Sequence, residues 1–276
     1  MEKSVAFLLF EDWHGKKEMG SSRIRGHWMM KYMLEAESFI HGKKYEVMIY
    51  QKTYWKEYVM AFQGIQILDL CDPDWLEGQI MFELFPKMKA ITTITPKMKE
   101  AIEGMTDTPV YIIPDRMDLD FFRGYRKKHE GRAKSVVWFG YGHNQLLDVV
   151  QPYLQRFKLD LYVVSDLRPV YTKAKDNIKF DIRTINKEIT KHDFVVFPKT
   201  SSERQQYKSN NKTLWAWALG MPVAETPEDL IKFLDPQKRQ EEGEIRKKEI
   251  QEKWDIRLSV KELRDIIKKC KYGKVK

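Results

Sequence analysis

The sequence predicts an α/β protein with two doubly wound parallel sheets, each covered by helices on both faces. Short apolar runs typical of buried strands alternate with helix-like segments along most of the 276 residues. The alternation stops in the charged stretch 116–134, which contains Gly124 and Gly131, and then restarts. Because alternating strands and helices produce parallel sheets, each half predicts one sheet, and the charged stretch predicts a linker.

Apolar runs predict the strands of the first half. Each run is short and is followed by polar or turn-forming residues, as expected for strands that are buried on both faces. The runs cover residues 5–10, 45–50, 65–70, 90–93 and 110–113.

Capping residues predict the helices of the first half. The small residues 20–22 are expected to cap a helix that runs to about residue 40. Residues 75–85 look helical. Thr95, followed by Pro96 in the first turn, predicts a further helix through residue 103.

The same alternation predicts the second half. Its strands are expected at 135–139, 161–164, 178–180, 193–197 and 221–223. Its helices are expected at 145–155, 184–190, 209–220, from 226 onward, at 238–253 and at 259–269. The last of these has apolar residues on one face, which indicates that it packs on a core.

The composition indicates a folded protein with an anionic partner. Apolar residues make up 42% and charged residues 32% of the chain, which indicates a folded protein outside the Lys-rich C-terminal tail. A formal net charge of +9 favours nucleic acid, an acidic membrane surface or a phosphorylated substrate. With 2 cysteines and no long apolar run, we expect a cytoplasmic protein without a disulfide scaffold, leader or transmembrane segment.

The stretch 194–224 predicts an anion site. A strand is followed by a polar loop and by a helix that begins near Ser209 and Asn210, with Lys208 and Lys212 close to its start. The N–H groups and the dipole at a helix N-terminus favour phosphate. An ordinary strand–helix unit with solvated lysines is the alternative.

Carboxylates after the third predicted strand indicate a place for acid–base chemistry. Asp69, Asp72 and Asp74 lie at the carboxyl end of that strand, where parallel sheets bind ligands. Asp72 is the first candidate for a catalytic base, followed by Asp74 and by His14 on the first loop. Helix capping by the aspartates is the alternative. No set of His, Cys, Asp and Glu has metal-ligand spacing, so no metal is expected.

Ordered pieces of the sequence resemble the GT-B glycosyltransferases, which use nucleotide sugars. Residues 208–214, KSNNKTL, continued by 216–223, AWALGMPV, resemble the donor-binding helix of this family. Residues 113–122, IPDRMDLDFF, resemble the passage between its domains, and 136–140, VVWFG, resemble the first strand and glycine turn of its donor domain. Smaller similarities lie at 193–198 and 20–23.

The resemblance implies two Rossmann-like domains that face a cleft. The acceptor-side domain would cover 1–115, the linker 116–134 and the donor domain 135–255. The helix 256–270 would pack back on the first domain.

The resemblance also implies a donor site for a nucleotide-diphosphate sugar, with a UDP-sugar as first choice and no required cofactor. Its residues would be Gly140, Gly142, His143, Glu203, Arg204, Lys208, Ser209, Asn210, Asn211 and Lys212. On the acceptor side it implies a phosphate or acceptor loop at Gly20, Ser21 and Arg23, with Arg25 as a further anion ligand.

The sequence departs from the family pattern at the donor site. The family often has two glutamates eight residues apart, for the sugar and the ribose, at places that hold Tyr207 and Trp215 here. Glu203 is the substitute that a shifted loop would offer. The basic residues after the first donor-domain strand are replaced by Tyr141, His143 and Asn144.

One leading function and two rivals follow. The leading prediction is a metal-independent, hexosyltransferase-like enzyme whose acceptor is a hydroxymethylated base of bacteriophage DNA, acting in the host cytoplasm. The first rival is an enzyme that glycosylates an envelope glycan or lipid at an acidic membrane surface. The second rival is a non-catalytic binding protein of the same fold, because the two glutamates are missing.

Overall fold

The structure is a computed structural model that describes residues 3–15, 19–78, 82–140, 147–166, 170–198 and 202–273. The chain forms two compact units. The first comprises Met1–Asp118, Ser202–Ser209 and Asp255–Lys276, and the second comprises Leu119–Ser201 and Asn210–Trp254. Residues 202–209 therefore group with the first unit, whereas the sequence prediction placed them in the domain 135–255. The predicted linker is divided after residue 118.

A parallel sheet of six strands forms the centre of the first unit. The strands are β1 Val5–Leu9, β2 Ala36–Ser38, β3 Val47–Gln51, β4 Ile65–Leu70, β5 Ala90–Thr93 and β6 Val110–Ile112. Their order is β2-β1-β3-β4-β5-β6, and all neighbours are parallel. Every residue of β1 and β3 is buried, as expected for strands covered on both faces.

Short helices connect these strands. They are α1 Phe10–His14, α2 Gly20–Ser22, α3 Trp28–Tyr32, α4 Lys56–Ala61 and α5 Pro96–Glu103. A π-helical turn, Arg23–His27, joins α2 to α3, and 3₁₀ turns cover Asp74–Glu77 and Phe82–Lys87. The Thr95 hydroxyl accepts a 3.2 Å hydrogen bond from the Met98 N–H, which confirms the predicted N-cap of α5.

The predicted helix over 20–40 is wrong in two respects. Its helical part ends at Tyr32, and Ala36–Ser38 pairs with β1 as an edge strand. Local propensity did not reveal this strand because it is formed by pairing with a partner distant in sequence. The small residues at its start do not cap it, since Met19 occupies the N-cap and the buried Ser22 hydroxyl donates instead to Gln51 Oε1, at 3.0 Å.

The second unit is built on a parallel sheet of five strands. The strands are β7 Ser135–Gly140, β8 Asp160–Ser165, β9 Asp176–Lys179, β10 Phe194–Val196 and β11 Val223–Ala224, in the order β11-β10-β7-β8-β9. Its helices are α6 Leu147–Phe157, α7 Ile185–Thr190, α8 Asn211–Ala218, α9 Pro227–Lys232 and α10 Pro236–Lys253. Two doubly wound parallel sheets confirm the predicted fold class.

The last helix, α11 Ile256–Tyr272, groups with the first unit. Arg264 on α11 forms a 2.6 Å ion pair with Glu35, and Glu262 forms one of 2.6 Å with Arg116. Two carboxylates of the passage 113–118 are also buried in the first unit: Asp115 accepts a 2.6 Å hydrogen bond from Ser209, and Asp118 one of the same length from Tyr32. This passage is therefore part of the core of the first unit and not a free linker.

Both cysteines, Cys71 and Cys270, are free thiols. Within the described ranges, no helix combines the length and the apolar character needed to cross a bilayer.

Candidate functional site

The strand order of the second unit places its ligand-binding edge between β7 and β10. If β7 is counted as strand 1, the strand order is 5-4-1-2-3. The strands β8 and β9 are added on one side of β7, and β10 and β11 are added on the other side. Parallel α/β sheets bind ligands at the carboxyl ends of the two strands on either side of such a reversal. These ends are Gly140 on β7 and the residues that follow Val196 on β10.

Lys212 lies at this edge. Its Nζ atom is 5.2 Å from the centroid of the Trp138 ring on β7 and 4.9 Å from that of Phe197, directly after β10. Both rings are buried, whereas the Lys212 side chain is exposed. Two aromatic faces hold the ammonium group by cation–π attraction at the place where the sheet is expected to receive a ligand.

Gly140 is shaped for a close approach to Lys212. Its φ of +151° is one that residues with a side chain rarely adopt. A Cβ atom added at this position would lie 3.2 Å from Lys212 Nζ and 3.1 Å from the Trp138 ring. The absence of a side chain therefore keeps space open beside the ammonium group. The two other predicted residues of this loop, Gly142 and His143, lie outside the described residues.

The N-terminus of α8 adds backbone donors close to Lys212. Asn210 is the N-cap and makes no side-chain capping bond, and α8 begins at Asn211 with no acidic residue in its first turn. The first N–H groups of a helix have no partner within the helix, and they favour an anion. Gly140, Asn210, Asn211 and Lys212 thus all belong to the second unit.

Trp215 and Tyr207, which stand where the GT-B pattern often has glutamates, both have packing roles. Trp215, at the place of one glutamate, is buried, packs on Phe121 and Phe122 at ring distances of 5.3 and 5.2 Å, and donates a 2.9 Å hydrogen bond to Asn186. Tyr207, at the place of the other, packs edge-on against Trp75 in the first unit, at 5.4 Å. Both positions hold packing residues.

Three predicted donor residues contact acidic groups of the first unit. Lys208 forms an ion pair with Asp72, and Arg204 forms one with Glu77. The Ser209 hydroxyl donates to Asp115 at 2.6 Å. Glu203 precedes the 3₁₀ turn Arg204–Tyr207 and is exposed. The segment 202–209 is therefore anchored on the first unit by charge and by hydrogen bonds.

A charged cluster lies at the carboxyl-end edge of the first sheet, where β1, β3 and β4 are neighbours. Lys52 directly follows β3, and its Nζ atom lies 2.8 Å from Asp72 and 3.2 Å from Asp74, both after β4. The Phe10 ring, after β1, has its centroid 4.7 Å from the same Nζ atom. We call Lys52, Asp72, Asp74 and Tyr54 the Lys52 cluster.

The two carboxylates of the Lys52 cluster have opposite pKa shifts. Burial alone would raise the pKa of Asp72, but the ammonium groups of Lys52 and Lys208 hold it below its ordinary value. Burial raises the pKa of Asp74, and Lys52 offsets this only in part. Asp74 accepts a 2.7 Å hydrogen bond from the Tyr54 hydroxyl and is inaccessible to solvent, whereas Asp72 is half-buried. Of these two carboxylates, only Asp72 is therefore positioned to contact a substrate in this conformation.

Aromatic rings border the Lys52 cluster. Trp13 packs edge-on against Tyr54 at 5.5 Å, and His14 packs edge-on against Phe10 at 4.8 Å. His14 is the exposed last residue of α1, the short helix after β1 that also carries Trp13. Sequence reasoning named His14 but missed Lys52, Tyr54 and Trp13. Their common signal was available, since all three follow strands of the predicted sheet.

The predicted phosphate loop of the first unit is largely structural. Gly20 and Ser21 form the first turn of α2, and Arg23 is buried at the start of the π-helical turn. Arg25 is buried too, and its Nε atom donates to Asp69 Oδ2 at 3.0 Å while its Nη1 atom lies 3.5 Å from Asp115. The expectation that Arg25 binds an anionic ligand is wrong for this conformation, because two internal carboxylates occupy its guanidinium group.

No group of three or more His, Cys, Asp and Glu side chains with metal-binding geometry occurs in the part of the chain that the structure describes.

Comparison with known proteins gives a likeness of fold. No protein-family model matches the sequence, and no curated protein does. The solved structure of accessory secretory proteins 1, 2 and 3 of Streptococcus pneumoniae is similar, with a TM-score of 0.50 and 12% identity over 83% of this chain and 54% of that chain. The glycosylation-associated protein complex Gap123 of Streptococcus agalactiae gives a TM-score of 0.44 and 10% identity over 83% and 54%, respectively.

A third structure, the glycotransferase of kitacinnamycin, gives a TM-score of 0.36 and 9% identity over 82% of this chain and 76% of that chain. This chain spans about half the length of the two streptococcal chains, at 54% of each. Identities this low indicate similarity of fold alone, and only the TM-score of 0.50 supports it.

Proposed function

We propose that the protein transfers a glycosyl group from a nucleotide-diphosphate sugar to a hydroxyl acceptor. The observation that carries the proposal is the position of Lys212 at the carboxyl ends of β7 and β10, between two aromatic rings and beside Gly140. A cation next to a glycine turn and a helix N-terminus is suited to a diphosphate.

The chemistry of transfer explains why a fixed cation is useful there. A bond forms between the acceptor oxygen and the anomeric carbon, and the bond from that carbon to the diphosphate breaks. The bonding electron pair leaves with the nucleoside diphosphate, so negative charge grows on it in the transition state. Lys212 and the N–H groups of α8 would stabilise that charge without a metal ion. The acceptor proton would pass to a carboxylate, for which Asp72 is the accessible candidate.

The proposal is tested by measuring nucleoside diphosphate binding by calorimetry, starting with UDP and UDP-sugars. We expect Lys212→Met to weaken binding at least tenfold, because a charge-assisted contact contributes about 1.5–3 kcal/mol. Lys248→Met is the matched control, since this lysine of the same unit is 78% exposed and lies on α10. If no common nucleoside diphosphate binds at millimolar concentration, or if both variants bind alike, the donor site is rejected.

For the acceptor, we propose a hydroxymethylated base in DNA ahead of an envelope glycan or lipid at an acidic membrane. The support is the net charge of +9, which suits either polyanion. Binding to duplex DNA that weakens with salt, without binding to acidic liposomes, is the expected result. The reverse pattern would replace the DNA acceptor by the membrane-associated one.

A binding protein without turnover is the second candidate. It is favoured by Trp215 and Tyr207, which place packing residues where the family's carboxylates would be. Its fold is also similar to that of the accessory secretory proteins of Streptococcus pneumoniae. Slow release of nucleoside diphosphate from a donor that binds would identify an enzyme, whereas binding without release from any common donor would identify the binding protein.

A further inference from the structure

Lys52 has a left-handed backbone conformation, which is unusual for a lysine. It is one of two residues other than glycine with positive φ in the described ranges, at +52°. This left-handed conformation costs roughly 1–2 kcal/mol for a residue with an ordinary side chain, and Asn or Gly adopts it more easily. Strained residues of this kind concentrate at functional sites.

The strained backbone directs a buried cation across the edge of the sheet. The Lys52 N–H donates a 2.9 Å hydrogen bond to the Asp69 carbonyl on β4, which fixes the main chain beyond the last residue of β3. From there the side chain reaches Asp72 at 2.8 Å and Asp74 at 3.2 Å. Only 9% of Lys52 is exposed, so few water molecules screen these two ion pairs.

We propose that Lys52 is a positioning residue that fixes the Asp72 and Asp74 carboxylates at the carboxyl-end edge of the first sheet, so that Asp72 receives the acceptor proton. This inference rests on the proposed glycosyl transfer. Asp74 accepts a 2.7 Å hydrogen bond from the Tyr54 hydroxyl through Oδ2, and its Oδ1 lies 3.2 Å from the Lys52 ammonium. Asp74 therefore fixes the position of the Lys52 ammonium group, and this ammonium group orients the Asp72 carboxylate.

The pKa shifts agree with this division of roles. Paired titratable groups whose pKa values are moved apart are typical of acid–base sites. The charged and titratable groups that face Asp72 from the described residues are Lys52, Lys208, Arg204, Asp74, Cys71, Tyr54 and Asp115. Lys52 is the most buried cation of this set, since Lys208 and Arg204 have side chains that are 33% and 34% exposed. Removal of Lys52 should therefore raise the pKa of Asp72 most strongly.

The test uses Lys52→Asn, because Asn tolerates the left-handed backbone while it removes the charge. A carboxylate next to a cation has its pKa lowered by 1–3 units in general, so we expect the acid limb of the kcat/KM pH profile to move up by about one unit or more. Nucleoside diphosphate affinity should change less than twofold, since Lys212 belongs to the other unit. Lys52→Arg should restore the wild-type profile in part.

Lys56→Asn is the matched control, because its ammonium pairs with Glu83 on the surface and its side chain is 57% exposed. An acid limb that stays in place in Lys52→Asn, or that moves equally in Lys56→Asn, would overturn the role of Lys52 and leave glycosyl transfer standing. If the wild-type protein binds donors but never turns them over, glycosyl transfer fails and the role of Lys52 fails with it. A thermal unfolding curve for each variant separates either result from loss of the fold.

Discussion

The indole N–H of Trp215 donates a 2.9 Å hydrogen bond to the side-chain oxygen of Asn186, inside the second unit. The side-chain amide of Asn186 in turn donates a 3.2 Å hydrogen bond to the carbonyl of Phe121, and the Phe121 ring packs on Trp215. Position 215 thus belongs to a closed packing arrangement. A glutamate at this position would break it.

We therefore expect Trp215→Glu to destabilise the protein and not to improve donor binding. Loss of a buried Trp costs about 3–5 kcal/mol in the free energy of unfolding, and an unpaired buried carboxylate adds to this loss. Urea denaturation measures the effect. Trp215→Phe, which keeps the ring packing and loses the hydrogen bond, should cost less, about 1–3 kcal/mol. A folded Trp215→Glu variant with tighter UDP binding would contradict the structural role.

Gly140→Ala should weaken nucleoside diphosphate binding and reduce stability. The φ of +151° disfavours any side chain, and the new Cβ would lie 3.2 Å from Lys212 Nζ. We expect a loss of about 1–3 kcal/mol in the free energy of unfolding and at least a tenfold loss of affinity in calorimetry. Gly131→Ala is the control, since φ is +59° there and a Cβ would meet no atom within 4 Å. Equal affinity of the two variants would remove Gly140 from the site.

Arg25→Met should be strongly destabilising. It leaves Asp69 and Asp115 buried without their common cation, and breaking a buried ion pair from one side costs about 3–5 kcal/mol. Arg264→Met breaks an accessible pair with Glu35, so it should cost about 1 kcal/mol or less. Both values come from urea denaturation at neutral pH. Similar losses for the two variants would show that burial does not set the strength of the Arg25 pair.

The stability of the second unit should fall with acid because of His192. Burial, helped by the Lys127 ammonium, lowers the pKa of His192 from 6.5 to about 4. The folded state therefore disfavours the protonated imidazole. The neutral form's contribution to stability is complete above pH 6.5 and is lost as the pH falls towards 4. At about 1.4 kcal/mol per pKa unit, the loss reaches about 3 kcal/mol.

The measurement is the free energy of unfolding of wild type and His192→Gln between pH 7 and 4. The wild type should lose about 3 kcal/mol more than the variant over this range. His41→Gln is the matched control, because it makes the same replacement at an exposed histidine. Parallel curves for wild type and His192→Gln would contradict the buried, neutral state of this histidine.

The local hydrophobic pattern was sufficient to predict most strands of the two sheets, because most of them are short apolar runs that must be covered on both faces. The N-caps at Thr95 and Thr226 were equally readable, since capping depends on neighbours within three residues. The edge strand Ala36–Ser38 and the helix α4 were not predicted. Their sequences are short and suit more than one structure, and contact with distant elements decides between them.

The sequence by itself determined the fold class and the positions of Asp72, Gly140 and Lys212 at strand ends and a helix start, because periodicity and capping are local. Only the tertiary structure decided which charges meet. It buried Arg25 against Asp69, brought Lys208 to Asp72, and placed Lys52 between two carboxylates. Partners separated by 20 to 136 residues along the chain share an edge only after the strands are ordered, and strand order depends on the packing of the whole sheet.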